Sequence, residues 1–177
     1  MKLTNQILAV VLATMPVAMF AAPNNQAPAL TKTEKQVRHE LLMLPFLSIY
    51  DNVSFQVDGD KVTLSGHVIR PTLKTDAERV VRRLEGVSSV ENNIELLPLS
   101  PFDNALRLRV AQAIYGYGPL NRYALGAQPP IRIIVKNGNV TLEGVVGNAM
   151  DRNLAFIRAN GVSGVFSVTN SLGVSSS

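Results

Sequence analysis

Val57-Asp58-Gly59-Asp60-Lys61-Val62-Thr63-Leu64-Ser65-Gly66 lies, without a gap, over Val135-Lys136-Asn137-Gly138-Asn139-Val140-Thr141-Leu142-Glu143-Gly144, at an offset of 78 residues. Each stretch reads as a hairpin. Apolar residues alternate with polar ones on both sides of a two-residue turn. Pairing Val57 with Val62 leaves Gly59-Asp60 as the loop, with Gly where a type II′ turn requires it. The same register leaves Asn137-Gly138, the preferred type I′ pair. It also places Arg132 opposite Glu143 on the outward face, where the two are expected to be neighbours.

The repeat extends outward from the hairpins over residues 53–96 and 131–174. Gly86-Val87-Ser88-Ser89-Val90-Glu91-Asn92 matches Gly164-Val165-Phe166-Ser167-Val168-Thr169-Asn170. Duplication of a whole scaffold points to a binding or structural module used in tandem rather than to one active site. A helix is expected before the first hairpin. Thr33 to Gln36 has capping-box spacing, Val37, Leu41 and Leu44 share a face, and Pro45 ends it. A second helix is expected over Thr72 to Leu84, with a stripe of Leu73, Ala77, Val80 and Leu84. A strand carrying Val90, Ile94 and Leu96 follows.

In the second copy Ser100-Pro101-Phe102-Asp103 reads as a helix start, and Leu106, Val110 and Ile114 form the stripe. Strands are expected at 131–136, 139–146 and 167–174, with a helix at about 149–160 ending at Gly161. Arg158 stands where the first copy has Val80. The apolar stripe there is read through Met150, Leu154 and Ile157, which implies a rotated helix. The loop from Gly116 to Pro130 is longer than its counterpart, Pro45 to Asn52. The architecture is therefore α+β: two tandem αββαβ domains at 32–98 and 99–175, each a three-stranded mixed sheet with two helices on one face. Only Leu97 to Ser100 separates the copies, so the domains should abut.

Lys2 followed by an uncharged, mostly apolar run from Ile7 to Ala22 reads as a secretory signal peptide over 1–22, and 23–31 as a flexible lead. The run is short for a membrane span, and Pro16 interrupts it. The chain has no Cys, which excludes disulfides, thiolate metal sites and a lipidated N-terminal Cys. Net charge is +4 and unevenly spread. Residues 31–98 hold nine Lys/Arg against ten Asp/Glu, whereas 99–177 hold seven against three, so an anionic partner would meet the second copy.

The paired sets Val62-x-Leu64-x-Gly66-x-Val68 with Gly86-Val87-x-x-Val90-x-Asn92-x-Ile94, and Val140-x-Leu142-x-Gly144-x-Val146 with Gly164-Val165-x-x-Val168-x-Asn170-x-Leu172, resemble the BON domain of bacterial osmotic-stress and nodulation proteins. The resemblance covers about 33–174. It implies an αββαβ fold, a soluble periplasmic protein, attachment to phospholipid membranes, a place in envelope or osmotic stress, and no catalytic activity.

Gly66 and Gly144 fall at inward parity, where close approach of a helix or a bend in the strand is expected. Gly86 lies beyond the end of the second helix, and Gly164 is its counterpart in the repeated motif. Asn92 and Asn170 also face inward and are expected to bond backbone in a neighbouring loop. His39 and His67 do not make a metal site. No nucleophile elbow, phosphate loop or zinc motif is present, so no catalytic residue and no cofactor is assigned. Nucleic acid is not an expected partner, because basic clusters interleaved with aromatics are missing. Three of the four Tyr gather in Tyr115-Gly116-Tyr117-Gly118-Pro119-Leu120-Asn121-Arg122-Tyr123. With Arg107 and Arg109 on the preceding helix, this stretch suits a membrane interface. The lipid-binding candidates are thus Arg107, Arg109, Tyr115, Tyr117, Arg122 and Tyr123, with an anionic phospholipid surface as partner. The alternative is a protein-binding adaptor, whose exposed strand edges or Tyr loop engage another envelope protein.

The targeting expectation has a direct check. N-terminal sequencing of the protein from a periplasmic fraction should begin within residues 21–30. Full-length protein retained with the inner membrane would contradict it.

Overall fold

The computed structural model describes residues 31–126 and 128–175; the signal and nearly all of the lead expected at the N-terminus lie outside them. Helix α1 (Lys32–Leu42) leads into β1 (Asn52–Asp58), β2 (Lys61–Val68), α2 (Pro71–Arg82) and β3 (Ser89–Leu96). The series repeats as α3 (Pro101–Tyr115), β4 (Ile131–Lys136), β5 (Asn139–Val146), α4 (Ala149–Asn160) and β6 (Ser167–Val174). A 3₁₀ helix at Gly118–Ala124, which the sequence reading treated as loop, lies between α3 and β4. The sheet orders are β1-β2-β3 and β4-β5-β6, with the first pair of each antiparallel and the second parallel. Both are the mixed sheets expected.

The hairpin registers are those read from the turns: Asp58 faces Lys61 and Lys136 faces Asn139. Gly59 has a φ of 61°. Asn137 and Gly138 have φ of 52° and 77°, as a type I′ turn needs. Helix α1 starts one half-turn earlier than expected. Its capping box is Thr31 with Glu34, not Thr33 with Gln36: Glu34 N–H donates to Thr31 Oγ1 (3.2 Å) and Thr31 N–H to Glu34 Oε2 (2.7 Å). A carboxylate accepts from the cap amide more strongly than a Gln amide does. These bonds hold the Glu34 carboxyl below its ordinary pKa.

Two apolar cores form. In the first, Val37, Leu41 and Leu44 pack with Val62, Leu64, Val68, Leu73, Ala77, Val81 and Ile94. Val80 and Leu84 border it rather than fill it. Leu96, at the end of β3, stays exposed. In the second, α4 corrects the sequence reading. Its buried residues are Asp151, Ala155 and Ala159, the counterparts of Leu73, Ala77 and Val81 at the same offset. The helix is not rotated. Met150 and Ile157 are instead exposed, and Leu154 is only partly buried.

The paired glycines serve the sheet rather than a helix. Gly66 and Gly144 both have φ of 116°. A Cβ would overlap the carbonyl oxygen of Asn52 at Gly66, and that of Pro130 at Gly144. The paired asparagines tie helix to sheet, not loop to sheet. Asn92 Nδ2 donates to Lys74 O (2.9 Å) and Asn170 Nδ2 to Arg152 O (2.9 Å). Their Oδ1 atoms accept from Ile94 and Leu172 N–H. Each amide thus satisfies a helix carbonyl and an N–H of its own strand.

The units meet through the segment before β1. Ile49 and Tyr50 pack against the second core. Arg132 and Glu143 are opposite in register, but among the described residues they form no ion pair. Arg132 donates to Ser48 O (2.9 Å) and Gln128 Oε1 (2.9 Å), while Glu143 accepts from Asn52. Lys136 pairs with Glu95 (3.0 Å).

Gly59 and Gly144 separate strain from overlap. Gly59→Ala meets open space and should cost only the left-handed strain, about 1–2 kcal/mol. Gly144→Ala must also displace strand backbone and should cost at least twice as much. Urea unfolding midpoints at an unchanged slope report both; equal losses would mean that no overlap exists.

Candidate functional site

Strand β4 is an edge strand, and its outward backbone groups need partners. Three are supplied. Tyr115 O–H donates to Ile131 O (2.5 Å), Ile133 N–H donates to Ile49 O (2.8 Å), and Arg107 Nη2 donates to Val135 O (2.8 Å). Arg107 also reaches Asn104 Oδ1. It is only 2% exposed. Burial lowers its pKa, against the opposing pull of Asp103, Asp51 and Tyr50. Burial likewise pushes the Tyr115 hydroxyl up to about 12. Arg107 and Tyr115 therefore face the interior. A carbonyl left bare on a buried edge would cost about 1–3 kcal/mol, which these donors avoid.

Arg122 and Tyr123 are held inside the same unit. Asp151 stands where the first copy has Leu73, and it is buried. Tyr123 O–H donates to Asp151 Oδ2 (2.6 Å) and accepts from Gly147 N–H (2.7 Å). Arg122 pairs with the same carboxylate and donates to Pro119 O (2.6 Å). Hydrogen bonds to Tyr123 and Asp151 raise the Arg122 pKa. This cluster fastens the 3₁₀ helix to the start of α4, where Asn148 Oδ1 accepts from Asp151 N–H (2.8 Å).

Arg109 and Tyr117 remain, and the structure adds Arg158 to them. Arg109, Gln112, Ala113, Gly116, Arg158 and Val162 line a groove of about 450 Å³ between α3 and α4. The Arg158 guanidinium lies 4.8 Å from the Tyr117 ring centroid, and its Nε donates to Ala113 O (3.1 Å). Stacking and one hydrogen bond hold the cation in place and leave its other donors free. Among the described residues neither Arg109 nor Arg158 pairs with a carboxylate. The acids of this unit are spent elsewhere. Asp103 accepts from Asn137 and Gly138 N–H, Asp151 holds Arg122, and Glu143 meets Asn52.

Helices α3 and α4 and the segment before β6 also carry exposed apolar side chains. Leu108 is 63% exposed and Ile157 60%. Phe102 and Phe166 stack with centroids 6.3 Å apart, and Phe166 is 75% exposed. Arg109 and Phe102 lie over Gly164, at φ 94°. The sequence reading did not single out this face, although the repeat held the signal. Met150, Phe156, Ile157 and Phe166 replace Thr72, Glu78, Arg79 and Ser88 of the first copy. Exposed apolar residues where the twin has polar ones mark a surface under a different demand.

Among the described residues no three His, Cys, Asp or Glu side chains gather to hold a metal, and no helix is long and apolar enough to cross a membrane. His67 lies 3.7 Å from Glu95 on the sheet surface.

Comparison with known proteins gives a match to the family described as BON domain, over residues 30–98 and 120–176. No curated protein matches the chain. Solved structures of CdsD, a structural protein of the type III secretion system of Chlamydia trachomatis, are similar at low level. Its C-terminal domain is 13% identical, covering 84% of this chain and 100% of that one at a TM-score of 0.33. A second structure of CdsD is 14% identical, covering 80% and 91%, also at 0.33.

The raised Tyr115 pKa gives a pH prediction. The folded state holds this proton up to about 12, whereas the unfolded chain releases it near 10. The Tyr115 contribution to stability is therefore complete below about pH 10 and falls as pH rises toward 12. Tyr115→Phe should be less stable than wild type at pH 8, by about 1 kcal/mol for the lost hydrogen bond. The gap should narrow between pH 10 and 11.5 in denaturant titrations; a gap independent of pH would contradict the placement.

Proposed function

The chain belongs to the BON-domain family, and on that premise we propose that it is a non-catalytic module of the periplasm that attaches peripherally to anionic phospholipid through the α3–α4 face of its second unit. The observation that carries this reading is the groove in which Arg109 and Arg158 stand without carboxylate partners, with exposed Phe102 next to Arg109 and exposed Phe166 stacked on Phe102. Cations that meet phosphate, beside side chains able to enter the acyl boundary, form the chemistry of an interfacial surface. Tyr117 supports it by holding Arg158 in place. Arg107, Tyr115, Arg122 and Tyr123 contribute by building this face, not by touching lipid. The first unit offers less: Arg79 pairs with Asp76 and Arg82 with Glu78.

Vesicle co-sedimentation tests the proposal. Binding should require anionic lipid and weaken as salt rises. Each well-placed Arg near such a surface is worth about 1 kcal/mol, so Arg109→Ser with Arg158→Ser should weaken binding about thirtyfold. Phe102→Ser with Phe166→Ser should weaken it even at low salt. Arg79→Ser with Arg82→Ser should change little. Arg107→Ser should chiefly lower the melting temperature. All variants are checked for folding by circular dichroism. Equal losses from both arginine pairs would mean charge attraction without a site, and absence of vesicle binding by wild type would end the reading.

A further inference from the structure

The two units treat the same strand edge differently. In a two-residue hairpin the residues flanking the loop form a hydrogen-bonded pair, so alternate residues beyond them turn N–H and C=O away from the partner strand. In the second unit these are Val135, Ile133 and Ile131, whose capping by Arg107, Ile49 and Tyr115 is described above. Their counterparts at the same offset are Val57, Phe55 and Val53 on β1. Among the described residues no hydrogen bond reaches the outward groups of these three.

A concave surface lies along this open edge. It has a volume of about 410 Å³, with walls from Leu41, Leu42 and Leu47 beside Val53 and Phe55. Arg38 and Arg132 also line it. Neither pairs with a carboxylate among the described residues. Asp51 lines it too, but its carboxylate is occupied by Ser48 N–H (3.0 Å), Ser48 O–H (2.5 Å) and Ile69 N–H (2.7 Å).

We propose that the β1 edge receives an extended segment of a partner protein as an added strand, its apolar side chains in the Leu41–Leu47 hollow and a carboxylate on Arg38 and Arg132. The edge asks for backbone donors and acceptors, which an acyl chain lacks and a peptide has. The second unit supplies an internal precedent, since one partner of its edge is a backbone carbonyl, that of Ile49. Neither Arg38 nor Arg132 is in an ion pair among the described residues, and together they favour an acidic segment over a basic one. This surface is separate from the α3–α4 groove, so it can succeed or fail independently of lipid attachment.

The test uses the full ¹⁵N-labelled chain and a library of synthetic octapeptides. Alternate positions are randomised over Val, Ile, Leu and Phe, with one Glu and a free C-terminus. Binding should shift the amides of Val53, Phe55 and Val57. Replacing Glu by Lys and amidating the C-terminus should weaken the best peptide at least tenfold. Methylating its alternate backbone nitrogens should abolish strand addition. Val53→Pro removes an outward N–H without breaking the β1–β2 ladder, and should weaken binding at least tenfold while amides of the second unit keep their positions. Arg38→Glu should do the same for the acidic peptide alone. The proposal is overturned if no peptide of the library shifts these amides at millimolar concentration, or if the methylated peptide binds equally. It is also overturned if dodecyl phosphate fills the hollow with no dependence on Val53→Pro, or if sedimentation shows the edge occupied by a second copy of the chain.

Discussion

Each outward N–H or C=O that an edge strand leaves bare inside a protein is costly, and β4, where the two units meet, has three of its outward groups capped. Much of this structure follows from how that edge is satisfied. The segment before β1 inserts Ile49 and Tyr50 against the second core and gives the Ile49 carbonyl to Ile133. Helix α3 gives Arg107 and the end of the same helix gives Tyr115. The contact between the units, the burial of an arginine and the high pKa of a tyrosine thus have one origin. Hydrogen bonds to a buried carbonyl contribute modestly when made, but leaving the group unpaired is costly.

Duplication preserved the scaffold and released the surface. Gly66 and Gly144 admit the neighbouring strand backbone in the same way, and Asn92 and Asn170 bridge the same helix carbonyl to the same strand. These positions answer to steric overlap and buried amide satisfaction, neither of which tolerates drift. The outer face of the second helix answers to solvent in the first unit. In the second it carries Met150, Phe156 and Ile157 instead of Thr72, Glu78 and Arg79. Asp151 in the position of Leu73 shows that a core site changed as well, because the longer loop of the second unit brought Arg122 and Tyr123 to pair with it.

The two units therefore offer different chemistry. The second has its carboxylates occupied and leaves Arg109 and Arg158 without carboxylate partners, with exposed Phe102 and Phe166 beside Arg109, which is the basis of the proposed phosphate contact. The first pairs Arg79 and Arg82 of α2 with carboxylates but leaves β1 open beside an apolar hollow. If both proposals hold, the tandem arrangement lets one unit engage a surface while the other engages a chain, with the β4 edge contact tying them together.

The chain's own sequence determined the hairpins, their registers and the tandem α+β fold. Alternation, turn chemistry and helix stripes are relations between residues close along the chain, and each appears twice. Leu73 and Ala77 were legible for that reason, as were Asn137-Gly138 and the start of α3 at Ser100. The capping box of α1 was misplaced because Thr31-x-x-Glu34 and Thr33-x-x-Gln36 both fit the spacing, and only the carboxylate's strength decides between them. Tertiary structure alone decided which candidate side chains are buried and which stay exposed. Arg107 and Tyr115 look like surface residues until the β4 edge demands partners, and Arg122 looks free until Asp151 is found buried. Met150 and Ile157 look like a core stripe until Ala155 and Ala159 are seen to occupy it. Such outcomes depend on which groups distant in sequence are brought together and which must not be left unpaired, and no local period encodes that.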